Sequence, residues 1–144
     1  DVAKKVGAQH LVKQVEDDFG RIDILINHAA VEPHISLLDM DEWDWHRVLD
    51  VNLTGAFLMT QCAGRVMRAQ SIMGRQDKGV IINLIAANQS SVKKEAAFVA
   101  SMQGLKAFTH QARLELIPSG IQVHAVETGD QIVERVFELL KEQK

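Results

Sequence analysis

Cysteine occurs once in these 144 residues, at Cys62, so no intrachain disulfide can form. Its place in an apolar helical pattern marks it as a small buried thiol. No apolar run approaches the ~20 residues that span a bilayer, and no charged n-region with an apolar h-region marks a secretory leader. A cytoplasmic, reducing setting is expected. There is also no basic block: 16 Lys+Arg stand against 19 Asp+Glu, a net charge of −3, so neither nucleic acid nor a membrane surface is expected as a partner. The histidines, His10, His28, His34, His46, His110 and His124, show no i, i+4 pair and no cysteine companion, and that spacing predicts no zinc site. Internal repeats and low-complexity segments are absent.

What is present is enough apolar material, 47% of residues, for one domain over 1–144 with its own core. Val2, Val6, Leu11, Val15 and Phe19, with Ala8 and Val12, predict one face of an amphipathic helix ending at Gly20. Ile22-Asp23-Ile24-Leu25-Ile26 reads as a parallel strand covered on both faces. Asp39 and Glu42 have the spacing of a capping box before a helix through Trp43, His46 and Val48, with one of Trp43 and Trp45 expected to be buried. A long helix is predicted from Val51 through Met67, where Gly55 and Gly64 would permit close approach of a neighbour. After a polar loop over 71–78, Val80 to Leu84 is a second strand. Residues 86–95 are a polar connection, 97–117 a long buried helix, and Ile121 to Val126 a third strand. Asp130 caps a last helix with Ile132, Val133, Val136, Leu139 and Leu140 on one face. Strands alternating with helices give an α/β fold with a short parallel sheet flanked by helices.

Several segments carry a family resemblance in the right order. Asp23 to Ala30 is similar to the D-x-L-V-N-N-A-G segment of the short-chain dehydrogenase/reductases, and Val51 to Gly55 to V-N-L-x-G. Gly79 to Leu84 resembles the strand before the family's catalytic serine, Ile121 to Val126 resembles I-R-V-N-x-V, and Phe98 to Gly104 resembles the Y-x-A-S-K-x-G helix. The resemblance implies a partial Rossmann-like three-layer sandwich matching the C-terminal half of such a domain. Asp1-Val2 looks like the end of the third family strand, and no three-glycine phosphate turn precedes it. The first mononucleotide-binding half is then missing, and a central strand becomes an edge that a second copy or a complementing chain must cover.

The resemblance also implies NAD(P) as cofactor, with Asp1, Asn27, Ala29 and Ala30 at cofactor-binding positions. Its catalytic tyrosine, lysine and serine fall on Phe98, Met102 and either Ile85 or Ala86, while Asn52 keeps the asparagine. A general acid needs a titratable proton within reach, and neither Phe98 nor Met102 has one. The expectation is an oxidoreductase by descent, inactive as this chain and binding no cofactor alone. Two alternatives stand beside it: an interaction scaffold, or half of a two-chain enzyme. By pattern alone Phe98 and Met102, four apart on an apolar helix, are core residues. Asn52 near a helix break satisfies backbone groups.

Overall fold

Three parallel strands carry the rest of the molecule, β1 (Ile24–Asn27), β2 (Gly79–Ile85) and β3 (Ile121–Glu127), hydrogen-bonded in that order. The computed structural model describes residues 1–73, 79–86, 95–129 and 131–141. The register sets Leu25 beside Ile81 and Ile81 beside Val123; one residue on, it sets Ile26 beside Ile82 and Ile82 beside His124. Because successive side chains point to opposite faces, the two sets line different sides of the sheet. On the first side α1 (Lys5–Phe19), α3 (Gly55–Ile72) and α4 (Ala96–Leu116) pack on Ile81, Ile121 and Val123. On the second, α5 (Ile132–Lys141) covers Val80, Ile82 and Val126 through Ile132, Val136, Leu139 and Leu140. This is the expected α/β three-layer arrangement.

Differences from the sequence reading have local causes. In α1 the buried side chains are Ala8 and Val12, with Val15 packed beside them, whereas Val6 is 77% and Phe19 75% exposed. Val6 lies roughly opposite Ala8 and Val12 at 100° per residue, and Phe19 sits on the helix's last turn, beside Gly20 in the left-handed conformation. Strand β1 is covered on one face only: Leu25 packs into the core, but Ile24 and Ile26 are 47% and 45% exposed. The helix α2 (Glu42–Leu49) is capped by Asp41 and not by Asp39, since Asp41 Oδ1 accepts from the Asp44 amide at 2.8 Å. Trp43 is 66% exposed, with Arg47 over its ring, and Trp45 is half-buried. Val133, predicted on the packed face of α5, is 58% exposed.

Of the two glycines in the long helix, Gly55 does serve close approach, because a Cβ there would meet Val2 Cγ2 at 3.3 Å; Gly64 has open space. Cys62 is buried as expected. The polar connection's 87–94, with Ser90, Ser91, Lys93 and Lys94, lies outside the described residues, as do 74–78 of the polar loop and the cap Asp130. No described helix is long and apolar enough to cross a membrane.

Candidate functional site

Between α2 and α3 the chain widens into a π-helical turn, Asp50–Thr54, and Asn52 in that turn is 1% exposed. Its side chain holds two segments at once. The Val31 amide donates to Asn52 Oδ1 at 2.7 Å, and Asn52 Nδ2 donates to the Val31 carbonyl at 3.0 Å and to Ser101 Oγ at 2.9 Å. Ser101 in turn donates to the Phe98 carbonyl at 2.7 Å. The asparagine therefore fixes the loop after β1 against the first turns of α4. Every one of these bonds ends on backbone or on a side chain that is itself satisfied, so the arrangement is a clamp and carries no spare proton.

One helical turn of α4 places Phe98 and Met102 on the side facing the strand ends. Met102 is 4% exposed and its Sδ lies 3.5 Å from the Ala86 amide. Met102, Ile85, Ala56 and Leu105 form one buried cluster, with Phe98, Ala86 and Leu53 packed around it. The structure thus brings Asn52, Ala86, Phe98 and Met102 together at the end of β2, as the sequence order implies, and lines the place around Met102 with hydrocarbon. The chain contains no tyrosine at all, so no other phenol within it can take the position of Phe98. The hydroxyl of Ser101, on the same helix, gives its proton to the Phe98 carbonyl.

Of the positions expected to bind cofactor, Asn27 and Ala29 line one cleft, whereas Asp1 and Ala30 lie outside it. Asn27 turns into the sheet's α3 side, where Nδ2 donates to Asn83 Oδ1 at 2.8 Å and stands 3.4 Å from Thr60 Oγ1; Asn83 Nδ2 donates to Thr109 Oγ1 at 2.9 Å. Asn83, Thr60 and Thr109 are all buried, and this relay across the core went unremarked in the sequence because each member sits singly in an apolar run. Asp1 is exposed, with its Oδ1 accepting from the Ala3 amide at 2.9 Å. Ala29 lines a cleft of about 220 Å³ with Asn27, His28, Asn52 and Met102, and Ala30 is exposed outside it.

A second depression, about 420 Å³, lies between α3 and α4. Phe57 and Phe108 meet edge-to-face across it with ring centroids 6.2 Å apart. Arg65 and Arg68 rim one side, and Glu115 the other.

Residues 1–138 match the family model described as short chain dehydrogenase. The chain is 35% identical over 130 residues to a 3-oxoacyl-(acyl-carrier-protein) reductase of Synechocystis sp., covering 90% of this chain and 50% of that one. It is 32% identical over 143 residues to the short-chain reductase protein NovJ of Streptomyces niveus, covering 94% and 52%. Among solved structures, a metagenomic short-chain oxidoreductase in complex with NADP superposes with a TM-score of 0.85 at 28% identity, over all of this chain and 66% of that one. A short chain dehydrogenase from Mycobacterium smegmatis gives 0.80 at 28% identity, over 88% and 51%. The chain spans about half the length of the curated relatives it matches.

Proposed function

This chain belongs to the short chain dehydrogenase family, and we propose that it no longer carries out the family's carbonyl reduction but acts as an assembly surface built on the inherited fold. The observation that carries the reading is the filled catalytic position. Met102, where the resemblance places a lysine, is 4% exposed among Ile85, Ala56 and Leu105, and Phe98 stands where a phenol would give its proton. Loss of a positioned proton donor costs ~10²–10⁴ in rate. The fit of these residues to NAD(P) is poor as well. The Asn27 amide is bonded into the core, a thioether stands at the ribose position at Met102, and the adjoining cleft of about 220 Å³ is smaller than the ~300–1,000 Å³ of ordinary ligand pockets. No reaction step is therefore assigned to a bound dinucleotide in this chain.

Two surfaces suit assembly. The α3–α4 depression carries Arg65 and Arg68 on one rim and Glu115 on the other around the exposed Phe57, opposite charges of the kind a two-fold pairing of copies can match. Strand β1 is an edge of the sheet whose Ile24 and Ile26 are also uncovered, which suits a complementing chain that pairs with the edge and covers that face.

Titration with NADPH, followed by a 3-oxoacyl thioester reduction assay, tests the loss of activity. No saturation at millimolar cofactor and no turnover are expected; micromolar binding with turnover overturns the reading. Sedimentation tests the assembly: a dimer that dissociates on Phe57→Glu supports the α3–α4 surface, and a monomer at all concentrations rejects it.

A further inference from the structure

The loop after β1 and the first residue before α4 meet above the filled catalytic position, and three metal-ligating side chains converge there. Glu32, His34 and Glu95 each present a ligand atom, and these atoms all lie within 4.8 Å of one another; His34 Nδ1 is 3.7 Å from Glu95 Oε1. We propose that this trio is a divalent transition-metal site, with zinc as the ion to test.

Three features argue for a ligand role over an accidental meeting of surface charges. Glu95 is the residue that precedes α4, where a short polar side chain ordinarily accepts from the helix amides. Here the Glu95 side chain makes no capping hydrogen bond and is directed to His34 instead, with its own exposure reduced to 12%. The carboxylate is thus largely withdrawn from water and aimed at an imidazole nitrogen, two groups that each offer a lone pair to a metal ion.

The donor set is also of the right kind. One nitrogen and two carboxylates suit zinc and its neighbours in the first transition row. Ligand atoms ~2.0–2.1 Å from a tetrahedral ion stand roughly 3.3 Å apart, so the 3.7 Å pair is close to its bound separation, and small movements of two exposed side chains close the rest.

Finally, the backbones that carry the ligands are held in place. Glu32 follows Val31, whose amide and carbonyl are both bonded to Asn52, and Glu95 stands at the start of the helix that Asn52 grips through Ser101. The same asparagine orients both ligand-bearing segments, and a bound ion would tie them together on the outer side. The three ligands come from positions 32, 34 and 95, which is why neighbour spacing among the histidines predicts no such site.

The test is calorimetric titration of the metal-free chain with zinc chloride, alongside His34→Ala and Glu95→Gln, with His110→Ala as an exposed histidine outside the trio. One equivalent is expected to bind to the unaltered chain and to His110→Ala alike. Each ligand substitution is expected to weaken it by ~10–100-fold, the loss seen when even supporting partners of a metal site are removed. Absence of stoichiometric binding, or binding that survives both ligand substitutions, overturns the proposal. Circular dichroism of each variant separates loss of the site from loss of the fold, and neither readout depends on catalytic activity.

Discussion

Replacing Asn52 by alanine tests whether the residue at the family's asparagine position is held for its hydrogen bonds. The substitution removes the acceptor for the Val31 amide and the donor to the Val31 carbonyl, and it empties a position 1% exposed to solvent. Each buried polar group left without a partner costs ~1–3 kcal/mol. Ser101 contributes little to the loss, because its hydroxyl keeps its bond to the Phe98 carbonyl. Val31 is only half-buried and water can reach it in part, so the two orphaned groups fall in the lower part of that range. The sum is ~2–4 kcal/mol, a large fraction of the ~5–15 kcal/mol that holds a domain folded. Urea unfolding followed by circular dichroism reads it as a lower midpoint with an unchanged slope. Asn52→Asp separates the two bonds: it can still accept from the Val31 amide, but it has no proton for the Val31 carbonyl and places a charge in the core. It should be at least as damaging. A loss below ~1 kcal/mol in the alanine variant refutes the clamp, since a single ordinary hydrogen bond is worth that much.

Met102→Lys should cost ~3 kcal/mol or more by placing an unpaired ammonium among Ile85, Ala56 and Leu105, whereas Met102→Leu should cost under ~1.5 kcal/mol; equal midpoints in urea contradict this. The double change Phe98→Tyr, Met102→Lys should give no turnover with NADPH, and measurable reduction would place the deficit in those two side chains alone. Gly79→Ala should destabilise by ~1–3 kcal/mol. The added carbon would lie 2.7 Å from Met67 Sδ and 3.0 Å from Met67 Cβ, and only the sulfur end can move aside cheaply. A hydrogen bond from Lys13 to Asp17 at 2.6 Å raises the Lys13 pKa above its ordinary value. The linked stabilisation is present at neutral pH and lost only as pH rises through that raised value. The ammonium is fully exposed, so Lys13→Ala should leave the urea midpoint at pH 7 unchanged, and a clear shift would count against this view of the surface pair.

The fold was legible because burial imposes its period on the sequence. The apolar runs at Val80 to Leu84 and Ile121 to Val126 each found their strand, and the Pro118-Ser119-Gly120 stop ends α4 through a short tight turn with Gly120 at φ 72°. What escaped was decided by partners distant in the chain. Ile24 and Leu25 are equally apolar as letters, yet only Leu25 meets a covering helix, because α5 crosses Val80, Ile82 and Val126 and leaves β1 open on that side. Asp39 and Asp41 are both competent caps, and the choice fell to the one whose oxygen reaches the Asp44 amide. That Asn52, Phe98 and Met102 belong to one region was legible in their order along the chain. Its connections, from Asn52 to Val31 and from Glu95 to His34, join segments that no local pattern relates.

The positions that resemble the family's catalytic residues also fit one another, which supports the proposed function. A lysine lost to an arbitrary residue in an otherwise intact polar site would leave a buried serine or tyrosine hydroxyl facing hydrocarbon, at ~1–3 kcal/mol for each unpartnered group. Here the three substituted positions are apolar together: Phe98 and Ala86 pack around Met102, and the sulfur of Met102 lies against the Ala86 amide. The polar groups that remain, Asn52 and Ser101, are bonded to each other and to backbone. A lysine at 102 would meet Ile85, Ala56 and Leu105, and a tyrosine at the half-buried position 98 would pack against the same cluster. On the function proposed above, such a site is held by packing, and selection on it acts through stability and through whatever binds the surfaces around it.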